Sequence, residues 1–253
     1  MATPLAAKVP VIIAFDADNK SAANGAAMGK EEAIKQAKFL GIEYDFATEK
    51  PEDAGNHGKA RAVILAGTGE QALAAADKLA SAGIPVISVL STDDALRTNC
   101  RPNLFHMAPS KKMLAAAVAQ WKKANPEDKD VVARAWHEDF VKFSARQLND
   151  RWVERFNNPM PDEGWAMWAG VRLITDAIAN NPGASPAELT KYLREEMEFD
   201  SYKGVYSTFR RTGQLGQTLL VVVDGELAGE APVRGVAATD ALDSLGLQEC
   251  RSE

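Results

Sequence analysis

Apolar residues recur along this chain in two rhythms, short continuous runs and stripes spaced by three and four. The clearest stretch is residues 61–109, RAVILAGTGEQALAAADKLASAGIPVISVLSTDDALRTNCRPNLFHMAP. Two apolar runs, AVILA and PVISVL, are bounded by turn residues and flank a helical pattern carrying Leu73, Ala76, Leu79 and Ala80. Strand, helix, strand is the unit of a parallel sheet. The same reading gives strands at 9–15 (VPVIIAF), 42–48 (IEYDFAT) and 104–107, with a helix over 24–40. Ser110 caps a further helix through Met113, Ala117 and Trp121.

After residue 124 the rhythm changes. A brief run, VVARAW, precedes a helix predicted over 138–156, with Val141, Ala145, Leu148 and Trp152 as its buried stripe. Two more helices are predicted over 161–180 and 185–197, the second opened by the capping box Ser185-Pro186-Ala187-Glu188. A hairpin is expected to close the body: YSTFRRTGQ, a turn near residues 213–216, then TLLVVVDGELAGEAP. Asp224-Gly225 is the strongest hairpin turn in the chain. The tail reads as weakly structured. The expected fold class is α/β, a mostly parallel Rossmann-like sheet with helices on both faces and a C-terminal hairpin.

Composition narrows the function. The 253 residues are 46% hydrophobic, enough for a sizeable core. Charge is well mixed, 29 basic against 35 acidic residues, and no basic tract suggests nucleic acid or an anionic membrane surface. No apolar run approaches the roughly 20 residues that span a bilayer. The start, MATPLAAKVP, lacks a charged leader and an apolar h-region. Either the protein works in the cytoplasm, or a leader has been removed and Met1 replaces it. Cys100 and Cys250 are the two cysteines. They either tie the terminus to the body, as in an exported protein, or are two unrelated thiols.

Enzyme readings find little support. A dinucleotide-binding turn after the first strand would read G-x-G-x-x-G, and here it reads FDADNKS. Asp16 and Asp18 have no accompanying catalytic Lys or Ser arrangement, and no G-x-S-x-G elbow is present. No His, Cys or carboxylate group stands at metal-ligand spacing.

Polar and glycine residues at parallel strand tips are where open α/β sheets hold ligands. Ala66-Gly67-Thr68-Gly69, Ser91-Thr92-Asp93 and Phe105-His106-Met107-Ala108-Pro109-Ser110 sit at such tips. In this order the chain resembles the type I periplasmic substrate-binding proteins of ABC transporters, branched-chain amino-acid receptor group. That resemblance implies two lobes, yet there is no room for a second one between Ala124 and Arg134. The expectation is therefore a single domain over 1–253, without the second lobe.

The segment AWHEDFVKFSARQLNDRWVERFNNPMPDEGWAMWAGVRLITDAI, with the terminal Cys-Arg and the Cys100 loop, is similar to the subgroup associated with pyrroloquinoline quinone (PQQ)-dependent alcohol dehydrogenase systems. The resemblance implies a periplasmic, non-catalytic protein, a Cys100–Cys250 disulfide, and PQQ as ligand for uptake or delivery. Its partners would be an ABC transporter or the dehydrogenase.

PQQ is a flat fused aromatic with three carboxylates and an ortho-quinone. Its site needs an aromatic partner, cations and donors. Four of the five tryptophans fall between Arg134 and Arg172. Trp136, Trp165 or Trp168 would stack on the ring, while Lys142, Arg146 and Arg172 would offset the carboxylates. His137, Thr68, Thr92 and His106 would be lesser polar contacts. Lys142 would pair as an ammonium or add as an amine to the quinone carbonyl. A metal ion would join only through PQQ's own oxygen and nitrogen edge. The same tryptophans also fit a packed core, and Lys142 and Arg146 a solvated face beside Glu138 and Asp150. The other functions left open are a docking module of an alcohol dehydrogenase system and a receptor for another small solute, such as an amino acid.

Overall fold

Alternation along the first strands decides the layering. The computed structural model describes residues 8–142, 144–237 and 242–250. Its elements are β1 (Lys8–Phe15), α1 (Lys20–Leu40), β2 (Glu43–Glu49), β3 (Ala62–Ala66), α2 (Gly69–Leu79), β4 (Val86–Ser88), α3 (Ala95–Thr98), β5 (Leu104–His106) and α4 (Lys111–Ala124). Then come β6 (Val131–Arg134), α5 (Ala145–Phe156), α6 (Asp162–Asn180), α7 (Pro186–Glu195), β7 (Phe199–Asp200), β8 (Tyr206–Ser207), β9 (Leu219–Val223) and β10 (Glu226–Ala231).

The five strands β2-β1-β3-β4-β5 form one parallel sheet in that order, with Val11 opposite Ala62 and Val63 opposite Val86. Ile12, Ala14, Val63 and Leu65 face one side and pack on Ala72, Ala76 and Leu79 of α2. Val11, Ile13 and Ile64 face the other, against α1 and α6. The period of two along each strand thus feeds two separate apolar layers.

Helix limits follow local chemistry. Asn19 caps α1 through Ala22 N–H at 2.9 Å, and Gly41 ends it at φ 68°. The helix therefore begins four residues before the expected Asn24. Thr68 and Gln71 form a capping box on α2, and Ser185 and Glu188 form the expected one on α7. α1 lies closely on α6: a Cβ at Gly25 would stand 2.4 Å from the carbonyl oxygen of Gly164.

The helix expected over 138–156 starts only at Ala145. The Asn149 amide donates to the carbonyls of Glu138 (2.8 Å) and Phe140 (3.2 Å), holding those residues out of a helical ladder. Val141 consequently is not in a buried stripe but is 48% exposed.

The C-terminal hairpin forms with Asp224 (φ 51°) and Gly225 (φ 89°) at its turn. β9 pairs on its other side with β6, giving a second sheet of order β10-β9-β6 that packs on α4 through Met113, Ala117, Val131, Leu219 and Val221. YSTF does not form a hairpin with TLLVVV as expected: both edges of β9 are taken by β10 and β6, and YSTF instead contributes β8, which pairs with the short β7. In the tail, Leu245 is fully buried. Cys100 and Cys250 form a disulfide with Cα atoms 5.9 Å apart. Among the described residues no helix is long and apolar enough to cross a membrane.

Candidate functional site

The tips of β4 and β5 build the site. Residues after β4 turn sharply because their own side chains serve as local acceptors. Asp93 Oδ1 takes Ala95 N–H (2.9 Å), and Asp94 Oδ1 takes Lys112 N–H (3.1 Å). Thr92 O accepts Lys111 N–H at 2.9 Å, which fixes the β4 tip to the start of α4. Beside them opens a cleft of about 210 Å³. Val89, Leu90, Ala108, Pro109, Leu114 and Ala166 give apolar walls, and Thr92, Arg134, Asp162 and Glu163 give the polar groups.

The charges are ordered. Arg134 Nε donates to Asp162 Oδ2 at 3.0 Å, and Asp162 Oδ1 accepts the Trp136 backbone N–H at 2.5 Å. Both Asp162 oxygens are thereby engaged. The terminal nitrogens of Arg134 and the exposed Glu163 carboxylate make no hydrogen bond among the described residues. The cleft thus carries one cationic and one anionic side chain on an otherwise mostly apolar lining.

Arg97 lies behind both tips, 1% exposed. It donates to the carbonyls of Ser91 (2.8 Å), Asp93 (2.8 Å) and Ala108 (2.9 Å), and to Gln214 Oε1 (2.9 Å). Burial draws its pKa down to about 10, opposed by Asp94 and Asp93, so it stays a cation.

The structure scatters the residues singled out from sequence. Thr92 lines the cleft. Thr68 caps α2, its oxygen accepting Gln71 N–H at 3.2 Å. His106 is buried. Burial, followed by the guanidiniums of Arg97 and Arg194, holds its pKa well below the usual 6.5, and Nδ1 has no hydrogen-bond partner among the described residues. His137 is buried too, its Nδ1 accepting Asp139 N–H at 3.2 Å.

No ring face of Trp136, Trp165 or Trp168 is open to a ligand, since all three are wholly buried. Trp136 and Trp165 stack on each other, centroids 5.7 Å apart and planes 7° apart. Lys203 Nζ sits 3.9 Å from the Trp165 centroid. Trp168 donates to Glu32 (2.8 Å) and packs against Arg172 and Tyr202. Trp165 and Trp168 are core because α6 is covered on nearly every side, and Trp136, which follows β6, packs on Trp165. Lys142 does not share a helix face with Arg146, because it precedes α5, and it pairs with Glu230 of β10. Arg146 is exposed on α5. Arg172 pairs with Asp176 (3.4 Å) and donates to Tyr202 Oη (2.5 Å).

Arg134, Asp162 and Glu163 were not singled out. An acidic pair just inside a helix start after Pro161 was the readable signal. Arg97 and Gln214 meet across 117 residues, and no local pattern announces that pair.

No family model and no curated protein matches the chain. Solved structures do. An ABC transporter substrate-binding protein from Desulfitobacterium hafniense superposes with TM-score 0.74 at 12% identity, covering 88% of this chain and 99% of that one. A solute-binding protein of an ABC transporter from Rhodopseudomonas palustris BisB5, in complex with 3,4-dihydroxybenzoic acid, gives 0.71 at 11% identity, covering 88% and 96%. A branched-chain amino acid transporter substrate-binding protein from Streptococcus pneumoniae, in complex with isoleucine, gives 0.66 at 11%, covering 88% and 99%. At such identities the likeness shows the fold: the chain has the α/β architecture of a single lobe of a type I periplasmic binding protein.

Proposed function

We propose that this chain is a substrate-binding protein, not an enzyme, that holds a small apolar amino acid in the cleft at the β4 and β5 tips. The observation that carries the reading is that Arg134 and Glu163 line the same mostly apolar cleft. A guanidinium suits a carboxylate and a carboxylate suits an ammonium, so a zwitterion satisfies both. The apolar walls would take an aliphatic side chain. Two of the solved neighbours hold isoleucine and 3,4-dihydroxybenzoic acid, both small and both carrying a carboxylate.

Size and charge speak against PQQ in this cleft. About 210 Å³ lies below the roughly 300–1,000 Å³ typical of drug-sized ligands. One guanidinium stands against the two carboxylates of Asp162 and Glu163, a poor setting for three more carboxylates. The expected stacking of PQQ on Trp136, Trp165 or Trp168 would need that ring to leave the core.

The chain passes from α4 to β6 through residues 125–130 alone. We read it as one lobe that binds without clamshell closure and hands its solute to an ABC transporter outside the cytoplasmic membrane. The Cys100–Cys250 bond fits an oxidising compartment.

The test is a thermal-shift panel of aliphatic amino acids, hydroxybenzoates and PQQ, on wild type and Arg134→Met. An aliphatic amino acid should raise Tm in wild type and not in the variant. A response to PQQ alone would favour the PQQ reading, and no response to any would favour a docking role.

A further inference from the structure

The Cys100–Cys250 disulfide is not sealed in the core. Both half-cystines are half-buried, and both line an open cleft of about 390 Å³ with Arg101, Pro102, Arg194, Phe209 and Arg211. The frame of this cleft is well fixed. Arg194 donates to the carbonyls of Pro102 (2.8 Å) and Arg211 (3.0 Å), tying its two walls together. Its guanidinium lies 5.0 Å over the Phe105 ring, against which Phe209 packs edge-on at 4.8 Å.

Three arginines therefore line the cleft onto which the half-buried disulfide opens. The carboxylates near them are Asp77, bound to Arg101 at 2.6 Å, Glu195, which acts on Arg194, and Glu249, bound to Arg211 at 3.4 Å. Glu249 differs from the others because it precedes Cys250 on the tail. If the tail detached, its negative charge would go with it, leaving Arg211 for another anion.

We propose that this cleft is a thiol-exchange site, at which a small thiol bearing carboxylates attacks Cys100. The thiolate's sulfur forms a bond to Cys100 Sγ and the Cys100–Cys250 bond breaks. The electron pair leaves on Cys250 as a thiolate, and the attacking thiol's proton has gone to solvent. One disulfide is consumed and one is made, so no further oxidant or reductant is needed. A carboxylate of the incoming thiol meets the exposed Arg211 guanidinium, which Glu249 holds only through Nε, and takes the place of Glu249 once the tail leaves. The neighbouring cations stabilise the departing thiolate. Modification at Cys100 thereby releases the chain terminus from the body.

The experiment compares glutathione with its diethyl ester, which presents the same thiol with its carboxylates masked. The oxidised protein is incubated with each, and rates per thiolate are read by intact mass, with the adduct mapped by peptide digestion. Glutathione should add once, at Cys100, roughly tenfold faster than the ester, an electrostatic preference that salt reduces. In Arg211→Ser, whose side chain is 81% exposed in wild type, the preference should fall towards unity with the circular dichroism unchanged. Equal rates for the two thiols, an adduct on Cys250, or a protein that stays fully oxidised would overturn the proposal.

Discussion

Arg97 and Gln214 are joined by a buried hydrogen bond, Nε to Oε1 at 2.9 Å, and together they hold both tips that form the cleft. Gln214 also donates to the carbonyls of His106 (3.2 Å) and Ala108 (3.1 Å), so the β5 tip is gripped from two sides. Gln214→Leu keeps the volume but leaves the Arg97 Nε without its acceptor. Such a loss at a charged group costs about 1–3 kcal/mol or more. Urea denaturation should show that decrease, and the Tm rise given by a bound amino acid should shrink as well. A full ligand response in a destabilised variant would show that the pair serves the fold alone.

The disulfide closes a loop spanning 150 residues. Restricting the unfolded chain in this way is worth about 2–5 kcal/mol. Cys250→Ser should lose that amount in chemical denaturation. Reduction of the wild type should match it, whereas an unchanged midpoint would mean that the tail contributes nothing.

Close approach of α1 and α6 makes Gly25 sensitive. Its added Cβ would meet backbone, the carbonyl oxygen of Gly164, which cannot rotate away. Gly25→Ala should destabilise by about 1–3 kcal/mol through overpacking, although alanine is the better helix former. A neutral or stabilising result in thermal unfolding would mean that the two helices separate easily.

Lys203 gives a pH dependence with a definite sign. Burial pushes its ammonium down to about 7 from 10.5, with Asp162 opposing. The unfolded lysine keeps its proton up to its ordinary value. Between about 7 and 10.5 the unfolded chain therefore binds more protons, and stability rises with pH. Below that window both states carry the charge and the cost of burying it is fully felt. Unfolding free energies at pH 6.5 and 9.5 should differ less in Lys203→Met than in wild type. His106 acts in the same direction at lower pH. It stays neutral when folded, so stability falls as pH drops below 6.5.

Sequence alone was a good guide where local chemistry decides structure. The parallel strands, the Ser185 box and the Asp224-Gly225 turn depend on neighbours a few residues away, and they formed as read. The Cys100–Cys250 pair formed as well. Long-range satisfaction was not legible. Asn149 reaches back to strip residues 138–142 from a helix, and periodicity does not register a side-chain amide competing for carbonyls. The cluster of tryptophans drew attention as ligand chemistry because their composition is unusual. Their burial depends on how α6 inserts beneath the sheet, which the residues of α6 do not state by themselves.

The central claim is that Arg134 and Glu163 recognise the two ends of a small zwitterion. Isothermal titration of L-leucine, 4-methylpentanoate and isoamylamine tests it most directly, since the last two lack one charged end each. Leucine should bind most tightly, with each truncated analogue weaker by roughly ten- to a hundredfold, the worth of one charge-assisted contact. Equal affinities for all three, or tight binding of PQQ with none for leucine, would contradict it.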